Sequence, residues 1–443
     1  MQNQGIRDAR SLGTPKLLVL GLQHMFAMFG ATVLVPALTG LSVSATLLFA
    51  GLGTLFFHFL TKGKVPAFLG SSFAYLAGYA AIAPNGEAAL LPYACVGVAA
   101  SGLLYLILAA LVRGFGANRV MRFFPPVVTG PIIICIGMTL ANSAINNCTG
   151  SWDIALVAII TVIVFNIWGK GMLRIIPILL GVLVSYVYAA VTGRVDFSGV
   201  ASAAWIGLPV KMENTVFSLV GNCDVNLLVT AIIAIMPIAF ATMIEHIGDI
   251  CAISSTVGVN FIADPGLHRT LLGDGLATSI ASLFGAPANT TYGENTGVLA
   301  LTRVYDPLVI RLAAVYAIIA SFCPKFAALV SAMPTGTIGG VSLILYGMIS
   351  AIGVRNLVEN RVDLSKSRNV IVVSLIISLA LGITFSAAGA ITFHVGEFTL
   401  NFSGLAVAAI VGIVVNAILP GKDYNFQNDY EYGKTTEDHG QML

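Results

Sequence analysis

Three carboxylates, Glu245, Asp249 and Glu294, lie within or just past stretches that otherwise read as membrane-spanning helix. An ionisable side chain near the bilayer centre costs about 2.5–3.5 kcal/mol on insertion scales, and no Lys or Arg lies within two turns of any of them to offset it. Groups of this kind face the protein interior or a watery cavity and mark substrate or proton paths. Glu245 and Asp249 are spaced i, i+4, so one helix face presents both. Two close carboxylates in a low dielectric cannot easily both ionise, so such a pair is suited to picking up and releasing a proton. Asp249 has a plainer alternative, a place near the inner end of its helix where solvent or backbone caps it. His246 points about 100° away from Glu245 and reads as packing or support. His24, beside Gln23, is placed to hydrogen-bond within a helix bundle, and Asp274 reads as a helix cap.

These groups need a scaffold that keeps them from lipid. The chain has 443 residues, 57% of them hydrophobic and 9% charged, with a mean hydropathy of +0.91. Too few charges remain to cover a soluble surface, so the class is a polytopic membrane protein whose first partner is the lipid bilayer. Residues 1–16 lack the apolar core and cleavage site of a secretory signal, and Leu17 opens a retained span. Apolar runs fall at 17–35, 44–61, 67–82, 91–112, 124–142, 152–168, 175–192, 226–247, 270–284, 291–304, 308–323, 337–353, 369–387 and 401–418. With the N-terminus inside, fourteen spans put 19 of the 22 Lys and Arg on the cytoplasmic side and leave only Arg194, Lys211 and Lys325 outside, as the positive-inside rule requires. The net charge of +2 gives no hint of nucleic-acid binding. No His or Cys spacing fits a metal site, and no nucleophile–base pair points to an enzyme. Cys148 and Cys223 both fall in outer connections and could in principle pair, but spacing alone cannot show proximity. The run Thr335-Gly-Thr-Ile-Gly-Gly340 lacks the Lys and preceding strand of a phosphate loop and reads as helix packing or a hinge.

The longest connection, 193–225, separates seven spans from seven, so duplicated halves would be inverted in the membrane, a common plan of secondary transporters. The third span of each half is short and broken: Pro66-Ala-Phe-Leu-Gly-Ser-Ser-Phe73 in the first and Pro287-Ala-Asn-Thr-Thr-Tyr-Gly-Glu294 in the second. Phe73 and Glu294 each stand seven residues after their proline. A matched pair of interrupted spans points to the binding site. Each is expected to be an extended stretch leading into a half-helix whose free N–H groups and positive dipole end face the cavity.

These segments, with Gln23-His24-Met-Phe-Ala-Met-Phe-Gly30-Ala-Thr-Val-Leu-Val-Pro36, Glu245-His-Ile-Gly-Asp249 and Tyr292-Gly-Glu-Asn-Thr-Gly-Val-Leu-Ala-Leu-Thr-Arg303, resemble the hallmarks of the nucleobase–ascorbate transporter family, most closely its bacterial uracil permeases. The resemblance runs from Leu12 to about Asp423. It implies an all-α fold of fourteen spans in two inverted seven-span repeats, with short extended segments in spans 3 and 10. It further implies a core domain (17–112 and 226–323), a gate domain (113–192 and 324–418), an external connection at 193–225 and cytoplasmic tails at 1–16 and 419–443. Members import nucleobases with protons, typically as homodimers, and need no cofactor. By the same resemblance Glu245 and Glu294 hydrogen-bond the base, and Ser72, Phe73, Tyr292, Gly293, Ser342 and Tyr346 complete the substrate site. Glu245, Asp249 and Glu294 would couple to protons, although the best-known uracil permease carries a histidine where this chain has Asp249.

Uracil offers two N–H donors and two carbonyl acceptors on a flat neutral ring, so carboxylates, exposed backbone N–H groups and aromatic faces form a complementary set. Glu294 favours a pyrimidine, since purine-transporting relatives often carry Gln there, and a xanthine or uric acid symporter is the alternative. An anion exchanger of similar architecture would be expected to carry a basic residue at the site, and a channel would need a continuous polar pore. The expected location is the bacterial cytoplasmic membrane.

Overall fold

The computed structural model describes residues 5–221, 223–395 and 398–421; the C-terminal tail from 422 and residues 1–4 lie outside them. Lipid offers backbone groups no hydrogen-bond partners, so a sequence this apolar satisfies its main chain in helices. The first half gives α1 (Thr14–Thr39), α2 (Val43–Leu60), β1 (Leu69–Ser71), α3 (Leu76–Ile82), α4 (Leu91–Phe115), the short α5 (Ala117–Met121), α6 (Pro126–Cys148), α7 (Trp152–Trp168), the single turn α8 (Met172–Ile175) and α9 (Pro177–Val191). The connection carries α10 (Ser198–Ser202). The second half gives α11 (Val225–Ile235), α12 (Ala239–Val257), α13 (Leu267–Leu283), β2 (Asn289–Thr291), α14 (Gly293–Thr302), α15 (Pro307–Ser321), α16 (Pro324–Ser331), α17 (Thr335–Glu359), α18 (Ser367–Thr384), β3 (Ala390–Val395), β4 (Phe398–Ser403) and α19 (Gly404–Ile418). Local chemistry sets the starts: Ser42, Asp224, Asp306 and Ser403 each accept a first-turn amide, and Pro307 occupies the position where a missing N–H does no harm.

Packed pairs recur when the halves are exchanged. Helix α2 packs on α15 as α13 does on α4; α7 packs on α9 as α18 does on α19; and α17 packs on α7 as α6 does on α18. At the centre of this pseudo-symmetry α6 lies along α17. A β-carbon on Gly137 would stand 2.2 Å from the carbonyl oxygen of Tyr346, so only glycine lets the two backbones meet there. Strands β1 and β2 pair antiparallel, Leu69 opposite Thr291 and Ser71 opposite Asn289, and bring the two broken segments across each other.

Several details differ from the sequence reading. Helix α12 continues to Val257, ten residues beyond the expected end of its span at 247, because Ile250 and Ile253 remain core-facing. Asp249 is therefore within a helix and not at its end. Strands β3 and β4 pair antiparallel, where hydropathy alone places the start of the last span at 401; the alternation in Ile391-Thr392-Phe393 is a strand pattern. Asp274 is no cap, for α13 begins seven residues earlier, at Leu267. Cys148 is buried at the end of α6 and Cys223 is exposed; both are free thiols. The Thr335–Gly340 run opens α17 and seats its glycines against α6 and α7, the packing role expected of it.

Candidate functional site

The site forms where the broken segments cross. Beyond the strand register, the Ser72 amide donates to Ala288 O (2.8 Å) and the Tyr292 amide donates to Phe68 O (3.0 Å), so both chains are held on both sides of the crossing. Two matched threonines fasten the strands to the helices before them. The Leu69 amide donates to Thr54 Oγ1 of α2 (2.9 Å), and Thr278 Oγ1 of α13 donates to Asn289 O (2.8 Å). The Tyr292 hydroxyl donates to Ser71 O (2.8 Å), and its ring lies over Gly70, where a β-carbon would come within 2.4 Å of Tyr292 Cζ. The Tyr292 side chain thus braces the crossing.

Immediately past the strands, Ser72 and Phe73 lead towards α3, and Gly293 and Glu294 open α14, whose first amides have no partner within the helix. Glu294 is on that first turn, half-buried. From α12, Glu245 and Asp249 approach the same place, also half-buried. A β-carbon on Gly293 would stand 3.8 Å from Asp249 Oδ1, which fixes Asp249 beside the start of α14. Glu245, Asp249 and Glu294 lie within each other's electrostatic reach, and among the described residues none forms an ion pair with Lys or Arg. Across from them α17 presents Ser342 and, one turn on, Tyr346, both buried. The Phe73 and Tyr346 rings meet edge to face, 5.6 Å between centroids.

The polar atoms here are poised for an occupant. Ser72 Oγ, Glu245 Oε2, Ser342 Oγ and the Tyr346 hydroxyl are buried and have no hydrogen-bond partner among the described residues. Buried polar atoms are ordinarily satisfied; these four come from three different elements, and other unpartnered atoms, those of Tyr79, Asp274 and Ser282 among them, lie elsewhere in the described residues. Every residue expected at the site lies on one of the four converging segments.

A supporting layer gives His246 the supporting role and His24 the bond within the bundle that the sequence suggests, with partners it did not reveal. His246 Nδ1 is hydrogen-bonded to Thr291 Oγ1 at 2.9 Å and lies 3.3 Å from Asp274 Oδ2, with both side chains fully buried. Phe57 and Tyr105 close on the imidazole edge-on. His246 therefore ties α12 to β2, one residue before Tyr292. On the other flank, the Asn295 amide donates to His24 O (3.1 Å) and reaches His24 Nδ1 (3.2 Å), holding α14 against α1.

This geometry coincides with marked similarity to known transporters. Over 96% of both chains the sequence is 42% identical to the uracil permease of Bacillus caldolyticus, and over 99% of this chain and 98% of the relative it is 40% identical to the uracil permease of Bacillus subtilis (strain 168). The transmembrane domain of a cyanobacterial bicarbonate transporter, BicA, superposes with a TM-score of 0.62 over 94% of this chain at 12% identity, which shows a shared fold. The profile described as the permease family (Xan_ur_permease) matches residues 15–389. The chain is a multi-pass membrane transporter and not an enzyme, and it belongs to this permease family, the nucleobase–ascorbate transporters.

Proposed function

We propose that the protein imports uracil together with protons across the bacterial cytoplasmic membrane by alternating access. The observation that carries this reading is the set of unpartnered polar atoms on Ser72, Glu245, Ser342 and Tyr346, gathered beside the free N-terminal amides of α14. Carboxylate oxygens of Glu245 and Glu294 accept the two ring N–H groups. Backbone amides at Phe73 and Gly293–Glu294 donate to the two carbonyl oxygens. The Phe73 and Tyr346 rings flank the base. Uracil permeases of 40–42% identity over nearly the whole chain support the choice of base.

Asp249, beside Gly293 and within reach of both glutamates, shares the coupling proton with them. Cotransport follows if the loaded site must be close to neutral before it crosses the low-dielectric barrier, since a cluster of bare carboxylates pays a heavy desolvation cost. Residues 17–112 and 226–323 form a core unit that carries the base, and 113–192 and 324–418 form a gate unit; Phe73 against Tyr346 is a contact between them. The working form is a homodimer with both termini cytoplasmic.

The test is uptake of labelled uracil into proteoliposomes against a panel of unlabelled bases, with and without an imposed proton gradient. Competition by pyrimidines alone and accumulation that follows the gradient are expected. Competition by xanthine and uric acid but not by uracil analogues would replace uracil with a purine. Uptake indifferent to the gradient would remove the coupling.

A further inference from the structure

The 193–225 connection is polar at its ends yet exposes apolar side chains in its middle: Trp205, Ile206 and Leu208 are 74%, 84% and 81% exposed. This segment is not a loose loop. The Gly207 amide donates to Phe322 O (3.0 Å), and the Lys325 amide donates to Ala204 O (2.9 Å), so 204–207 runs bonded alongside the joint between α15 and α16. Lys325 reinforces this by donating its ammonium to Val200 O (2.9 Å) and Ala201 O (3.3 Å) and by lying over the Trp205 ring, 5.2 Å from its centroid.

Two relationships set the depth of this patch. Helix α16 is bent 89° from α15, so with α15 crossing the bilayer α16 lies in the membrane plane, and the bonded 204–207 segment lies with it. Trp152 and Trp168 stand at the two ends of α7, sixteen residues and about 24 Å apart, somewhat less than the ~30 Å hydrocarbon core. Asp153, next to Trp152, pairs with Arg194 at the root of the connection, which puts the Trp152 level and the connection at the same membrane face. Tryptophan is enriched at that level because its ring is apolar and its N–H is wet.

We propose that residues 204–208 are a membrane-anchoring surface: Trp205, Ile206 and Leu208 insert into the interfacial zone of the leaflet on the 193–225 side, and Lys325 holds the segment in that pose. The anchor fixes the depth of α16, the link from α15 to the α17 helix that carries Ser342 and Tyr346. It does not depend on which solute is carried.

The test uses the full-length protein with Trp152→Phe and Trp168→Phe, leaving Trp205 as the sole tryptophan, reconstituted in phosphatidylglycerol–phosphatidylcholine vesicles. Lipids brominated near the glycerol end of the acyl chain are expected to quench most of its emission, while aqueous iodide quenches little. The difference between wild type and Trp205→Phe reports the same residue if the double variant is poorly produced. Ile206→Glu with Leu208→Glu should reverse the pattern, to weak lipid quenching and strong iodide quenching. Strong iodide quenching of the unaltered segment overturns the proposal. Protection from both quenchers also overturns it and assigns the patch to contact with a second copy of the chain.

Discussion

The edge of one aromatic ring meets the face of another where Phe73 and Tyr346 touch, with 5.6 Å between centroids and 75° between planes. One belongs to the segment entering α3 and the other to α17, so a single pair joins a broken segment of the first half to a long helix of the second. Such pairs contribute about 0.5–1.5 kcal/mol beyond their buried area. Phe73→Ala also removes a ring proposed to flank the base, and stacking of about 1–3 kcal/mol per base converts to a loss of about 5- to 150-fold in uracil binding. Tyr346→Phe keeps the ring pair and removes only the unpartnered hydroxyl, so its loss should be smaller. Calorimetric titration of both variants in detergent checks the order; a larger loss in Tyr346→Phe would make the hydroxyl, not the Phe73 ring, the main contact.

Glu294→Gln should abolish or severely reduce uracil uptake while the protein remains in the membrane, because one acceptor oxygen becomes an N–H that faces the donor of the base. Labelled uptake alongside a membrane immunoblot checks it. Wild-type affinity in this variant would take Glu294 out of the site, whereas a gain of xanthine competition would assign it the choice of ring.

For Glu245 the expectation concerns pH. A base N–H bonded to its oxygen favours the charged carboxylate, so binding and protonation are linked and uracil affinity should vary with pH. Glu245→Gln should flatten that dependence, and Glu245→Ala should eliminate binding. Affinity measured from roughly pH 5 to 8 spans the range over which buried carboxylates titrate. A wild-type pH profile in Glu245→Ala would overturn the mechanism.

Asp249→Asn separates binding from coupling. Its oxygen lies beside Gly293, near the free amides and one turn along the same face of α12 from Glu245. The variant should still bind uracil and exchange it across the membrane, yet fail to accumulate it against a gradient when the pH difference is the driving force. Accumulation at the wild-type level would leave Asp249 a bystander.

Gly70→Ala tests the brace. Its methyl would lie within 2.4 Å of the Tyr292 ring and 2.8 Å of Thr32 Oγ1, an overpacked position of the kind that costs about 1–3 kcal/mol. Thermal unfolding in detergent should shift down by several degrees, and uracil binding should fall with it. Gly382→Ala, where no atom stands within 4 Å, is the control and should do neither.

Much of this architecture was visible in the chain because lipid punishes deviations from apolarity so heavily. Glu245 and Glu294 stand out as charges in hydrophobic runs, and Pro66 and Pro287 mark the two places where a helix cannot continue. The threonines that fasten the strands, and the true place of Asp274, left no such trace. Thr54 and Thr278 look like any hydroxyl in a membrane helix, where bonding to the preceding turn is the common outcome, and only the fold reveals that both hold a strand. Asp274 stood close to an assumed helix start, so a cap was the simpler reading until α13 proved longer and His246 arrived from α12. The pairing of β3 with β4 was hidden because a hydropathy window cannot separate alternating apolar residues from a continuous run.

The pairing of β1 with β2 also bears on how the two halves come together. Three residues of strand sit at the middle of the bundle, and each strand's partner belongs to the other half. A polypeptide ending before Gly193 would hold β1 with its ladder groups unmet, in surroundings where water cannot reach them. Neither half completes its own ladder, so the crossing cannot form until both halves are in place. The antiparallel register between Leu69 and Thr291 thus makes the centre of the first half wait on residues that follow the 193–225 connection.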